Sequence, residues 1–98
     1  MLIRYVRMSF QPEKVAEFLA FFETVKSQVR HFQGCNFVEI LQDINQPNVF
    51  MTHSHWNSEE DLNNYRDSEF FKYVWGNTKI YFNEKPMAFS VKSFMIVE

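Results

Sequence analysis

Between Phe50 and Trp75 the chain changes its period, and that change limits the folds open to it. From Phe50 to Trp56 the residues alternate as a strand does. Phe50, Thr52, Ser54 and Trp56 fall on one face, and Met51, His53 and His55 on the other. After Asn57, Ser58 stands where a helix N-cap belongs, with Asp61 three residues on as a partial capping box. Leu62 and Tyr65 then share a helical side, and a second helical turn opening at Ser68 carries Phe70, Phe71, Val74 and Trp75. A strand that leaves a sheet and feeds a helix folding back over it gathers these rings. This stretch is the expected wall of any pocket.

The rest of the chain supplies the partners. Leu2 to Phe10 reads as a strand, with Leu2, Val6, Met8 and Phe10 on one face and Ile3 and Tyr5 on the other. Arg4 falls by parity with the apolar set. Pro12 suits a first helical turn, and apolar residues at 15, 18, 19, 22, 25, 29 and 32 make a helical stripe to Phe32. Phe21 lies off the edge of that stripe, where it could meet a partner. Gly34 is the expected helix stop. Cys35–Gln42 and Val49–Trp56 form a hairpin around the polar turn Asp43–Asn48. A helical region from Ser58 to about Lys79 breaks near Asp67–Ser68. Met87 to Val97 closes the chain as a strand, with Met87, Phe89, Val91, Met95 and Val97 on one face and Phe94 and Ile96 on the other.

The order β-α-β-β-α-β with right-handed crossovers predicts an α+β, ferredoxin-like fold, a four-stranded antiparallel sheet with helices on one face. The expectation is a single domain over residues 1–98. Of these residues 46% are hydrophobic and 18% aromatic, with twelve Phe. That is more apolar surface than a small two-layer domain hides easily, which points to a cavity, an oligomer interface, or both. Both sheet faces carry apolar residues while the helices cover only one, so the other is expected to pack on a second copy.

A net charge of −2 without a basic run argues against nucleic acid or anionic membrane as partners. The lone Cys35 allows no intrachain disulfide. No apolar run reaches membrane-spanning length, and the alternating first ten residues lack a cleavable signal's apolar core. A cytoplasmic location is the expectation.

Several motifs resemble the antibiotic biosynthesis monooxygenase domain of the dimeric α+β barrel superfamily. They are the Gly34-Cys35 strand opening, the hairpin ending in Trp56, the segment Asn57-Ser58-Glu59-Glu60-Asp61-Leu62, and Tyr65-Arg66-Asp67-Ser68-Glu69-Phe70-Phe71. The resemblance runs from about Ile3 to Phe94. It implies a homodimer with facing sheets and one cavity per subunit between helices and sheet. It also implies, for some members, oxidation of anthrone-like or hydroquinone substrates by O2 without metal or flavin. Trp56 and Tyr65 match the family's strand-end and helix aromatics, and the Trp56 face, with Thr52 and Ser54, is then the cavity face. In the heme-degrading branch a His stands where this chain has Trp75, and an Asn on the first strand has no counterpart near Arg4 or Tyr5, so heme is not expected.

Trp56, Tyr65, Phe22, Trp75, Thr52 and Arg4 are therefore the candidate substrate-binding residues. For the rings the alternative is plain core packing. For Arg4, a salt bridge competes with a role holding a phenolate or carboxylate. His53 and His55 have the spacing for two imidazoles on one strand face, and imidazole suits a general base near neutral pH. A catalytic zinc needs a third ligand, for which only Glu39 on the neighbouring strand offers itself, so neither metal nor other cofactor is expected. By parity the two histidines face the sheet–sheet side. The leading expectation is a cofactor-independent monooxygenase of a small aromatic compound; the alternative is a non-catalytic binding or structural dimer.

Overall fold

A computed structural model describes all residues, 1–98. The elements are β1 (Leu2–Ser9), a 3-10 turn at Pro12–Lys14 running into α1 (Val15–Arg30), β2 (Cys35–Gln42), β3 (Val49–Trp56), α2 (Glu59–Arg66), α3 (Glu69–Lys79) and β4 (Met87–Val91). The strands form one antiparallel sheet in the order β2-β3-β1-β4. The chain is thus α+β with the ferredoxin-like arrangement, and the expected helical break falls at Asp67–Ser68.

Two serines place the helices. Ser58 Oγ accepts the Asp61 N–H at 3.1 Å, capping α2. Ser68 Oγ accepts the Phe71 N–H at 3.1 Å and donates to the Tyr65 carbonyl at 2.6 Å. One side chain therefore caps α3 and ties it to the end of α2, holding Tyr65 at the joint. Gly34 has φ +90°, and a Cβ there would stand 2.4 Å from the Asp61 Cβ. Both the backbone and the close approach of α2 require glycine.

Several sequence expectations are corrected. The first helix ends at Arg30 rather than Phe32, with the His31 N–H closing on the Ser27 carbonyl and the Phe32 N–H on that of Val29. Gly34 is then not its cap but the turn into β2. Leu19 on the expected stripe is 43% exposed, while Phe21 packs edge-on against Tyr73 within the same chain at 5.6 Å. The last strand stops at Val91 instead of Val97, because Val91 pairs with Ile3 and β1 begins at Leu2. Beyond Val91 there is almost no backbone left to pair with. The same register turns Met87, Phe89 and Val91 to the Tyr5 face, away from the helices, and gives Ala88 and Ser90 the helix side.

A bulge at Asn36 also shifts parity in β2. Cys35 pairs with Trp56 and Phe37 with His55, so Cys35 joins the core side while Phe37 faces outward.

The core is divided. Met8, Phe10, Phe18 and Phe50 form one cluster, with Phe10 fully buried and stacked on Phe18 at 4.2 Å. Val25, Val29, Cys35, Trp56, Leu62, Tyr65 and Val74 form the other. Phe22 packs against both. Large rings crowd each cluster, and the space between them is not filled.

Candidate functional site

That space is a cavity of about 520 Å3 between the helices and the sheet, within the range of small-molecule sites. Phe18 and Met8 of one cluster and Trp56, Leu62, Tyr65 and Val74 of the other both line it. β1 contributes Arg4 and Val6, β3 contributes Thr52 and Ser54, and α3 adds Phe71, Trp75 and Thr78. All six residues singled out for binding line this one cavity: Trp56, Tyr65, Phe22, Trp75, Thr52 and Arg4.

Trp56 is a buried part of the wall. It is 1% exposed, and its Nε1–H donates to Ser54 Oγ at 3.0 Å. Its ring lies 5.0 Å from that of Tyr65, which meets Phe71 edge-on, also at 5.0 Å. Phe71 in turn stacks on Trp75 at 5.9 Å. The four rings form a continuous wall.

The Tyr65 hydroxyl makes no hydrogen bond within the chain. Since no fully enclosed polar side-chain atom lacks a partner, this hydroxyl keeps access to solvent or to the cavity that Tyr65 lines. Burial, and secondarily the nearby Cys35, push the phenol well above its ordinary pKa. At neutral pH Tyr65 is a hydrogen-bond donor, not a base.

Arg4 is half-buried and in no salt bridge; its Nη1–H donates to Ser90 Oγ at 3.1 Å. The competing expectation of an ordinary salt bridge is thereby corrected. Burial, and then the charge of Arg66, push its pKa down, though a guanidinium stays protonated at neutral pH.

His53 and His55 lie on the opposite sheet face. His53 Nδ1–H donates to Glu39 Oε1 at 2.8 Å, and the two Nε2 atoms are 3.0 Å apart. With Nδ1–H committed to Glu39, a neutral His53 accepts from His55 Nε2–H. Tyr5 stacks on His53 at 4.8 Å. Neither imidazole reaches the cavity, so as bases for chemistry there they are misplaced. No group of three or more His, Cys, Asp or Glu is arranged to hold a metal ion.

The sequence reading missed Asn63, Arg66 and Asp67 as cavity residues, while Phe71 belongs to the stretch expected to wall the pocket. The signal was present: Arg66 lies four residues after Leu62, and Asp67 four after Asn63, spacings that keep each pair on one side of α2.

The sequence profile of the antibiotic biosynthesis monooxygenase family matches residues 1–74. The chain belongs to that family. Antibiotic biosynthesis monooxygenase folds are also its structural neighbours. One so described superposes with a TM-score of 0.89 at 15% identity, covering 97% of this chain and 100% of the other. A conserved protein from Methanosarcina mazei Go1 gives 0.88 at 20% identity over 96% and 94%. Rv0793 from Mycobacterium tuberculosis gives 0.85 at 10% identity over 99% and 98%. Such identities speak for the fold. No curated protein matches the chain. No helix is long and apolar enough to cross a membrane.

Proposed function

We propose that this family member is a cofactor-independent monooxygenase acting with O2 on a small quinol- or anthrone-like aromatic compound. The observation that carries the reading is the cavity itself, walled by Trp56, Tyr65, Phe71 and Trp75. In this chemistry the substrate's deprotonated ring is the reductant. For an anthrone methylene the balance is CH2 + O2 → C=O + H2O, all four electrons coming from the substrate. The apolar wall holds the ring and keeps bulk water from the reacting carbon. The Tyr65 O–H and Thr52 stabilise the oxygen on which the anion's charge resides.

One observation favours the alternative, a dimer that binds a small molecule without chemistry: neither imidazole lines the cavity, and Asp67 is its only carboxylate. Oxygen uptake separates the two. Chelator-treated protein is assayed with a panel of hydroquinones and anthrones, beside Trp56→Ala and Tyr65→Phe. Uptake above the autoxidation blank that either substitution reduces, with assembly unchanged, supports the monooxygenase. No uptake across the panel leaves the binding protein as the better reading.

The proposed assembly is a homodimer through the outer sheet face. On it Phe37, Met87, Phe89 and Val91 are exposed beside Tyr5 and His53, an apolar patch that a second copy would cover.

A further inference from the structure

The cavity lining combines buried rings with more accessible charges. Trp56 and Tyr65 are buried, whereas Arg66 and Asp67 are exposed and Arg4 is half-buried. Arg4, Arg66 and Asp67 are the ionised residues among the lining, two cations against one anion, for a local charge of +1. The chain's ion pairs lie elsewhere, on Arg7, Lys14, Lys26, His53 and Lys72. Neither Arg4 nor Arg66 is in one. Across the sheet Arg4 sits between Ser54 and Ser90, neither of which carries a countercharge.

Two guanidiniums line one cavity without a paired countercharge, one of them half-buried, which is unfavourable in the empty site. A bound anion supplies that countercharge. Guanidinium also presents a planar fork of donors that matches a carboxylate, unlike a point charge. Asp67 does not serve as that anion: it makes no ion pair with either arginine.

We infer that the cavity takes an aromatic carboxylate, with the ring against Trp56 and Tyr65 and the carboxylate held by Arg4 and Arg66. This rests on reading the cavity as the substrate site and adds the substrate's chemical class. The carboxylate fixes which end of the ring enters, and leaves the far end for reaction beneath the Tyr65 hydroxyl.

The test is a matched pair of probes, 2-naphthoate and the isosteric 2-naphthamide, titrated by calorimetry. The chain's two tryptophans, Trp56 and Trp75, both line the cavity, so near-ultraviolet circular dichroism reports occupancy there. Naphthoate is expected to bind about tenfold or more tighter than naphthamide. Arg66→Gln, on an exposed helix end, and Arg4→Gln should each remove most of that preference. Asp67→Asn should tighten naphthoate and leave naphthamide unchanged, a response that a structural role for Asp67 would not give. Equal affinities in the wild type overturn the inference and leave the aromatic cavity standing, as does a naphthoate preference indifferent to both arginine substitutions. A naphthoate preference without oxygen uptake on any quinol overturns the monooxygenase reading and leaves the anion site. No binding of either probe overturns both.

Discussion

Replacing Ser54 by Ala removes one oxygen atom, and the structure makes that atom consequential. Ser54 Oγ is the acceptor for Trp56 Nε1–H at 3.0 Å, and the two residues are 8% and 1% exposed. The substitution leaves no large void, so packing contributes little. What it leaves is an indole N–H without a protein partner in a nearly dry site, at a cost of about 1–3 kcal/mol. For a domain of 98 residues each kcal/mol lowers Tm by roughly 4–8 °C. Denaturant unfolding of Ser54→Ala, Trp56→Phe and the double variant forms a closed cycle. Phenylalanine has no N–H, so in that background Ser54→Ala should cost no more than about 0.5 kcal/mol, the usual range for a change touching no special feature. The coupling between the two residues should then be about 1–2 kcal/mol. A Ser54→Ala protein within about 0.5 kcal/mol of wild type, or one equally destabilised in both backgrounds, would refute the reasoning. It would mean that the indole N–H is satisfied by water in the cavity.

Two further outcomes are expected. Tyr65 has its pKa raised on folding, chiefly by burial, so its contribution is complete below the unfolded phenol's pKa near ~10. It is lost as pH climbs above that value toward the raised folded one, because there the unfolded chain releases the proton first. Stability should fall by up to about 1.4 kcal/mol per pH unit in that window. Tyr65→Phe should flatten the slope, leaving the smaller part due to Cys35, whose pKa burial also raises; an unchanged slope sinks the assignment. Phe89→Glu places a charge on the exposed outer sheet face, opposite Tyr5, and should convert a dimer to monomers in sedimentation velocity without unfolding them. A variant that sediments as wild type would move the interface elsewhere.

Elements with chemical punctuation at both ends were legible from the sequence. β2 and β3 lie between Gly34, the polar turn and Asn57, and the break between α2 and α3 falls where Ser68 caps the second helix. β4 was not legible in the same way. Alternation continues from Met87 past Val91, but alternation records which side a residue would take in a sheet, not whether a neighbouring strand remains to pair with. β1 ends the pairing. Nor does alternation say which of the two sets faces the helices. β4 is an edge strand whose helix side meets the cavity rim, where Ala88 suffices, and its bulky residues go to the outer face.

The site divides along the same line. The ring wall could be read because Trp56 is tied by parity to Thr52 and Ser54, and Tyr65 by helical spacing to Leu62. The charged residues are harder to read: helical spacing puts Arg66 on the side of Leu62, but a basic residue in the last turn of a helix is equally explained by the helix dipole. Only the fold shows that Arg66 of α2 and Arg4 of the sheet line one cavity. The two histidines illustrate the converse. Their spacing resembles a site, yet the strand's alternation that sends Thr52 and Ser54 into the cavity sends His53 and His55 out of it. Any base that acts in the cavity must therefore be Asp67, a ligand group or water, and Asp67→Asn should separate the first from the others by lowering turnover while tightening an acidic ligand.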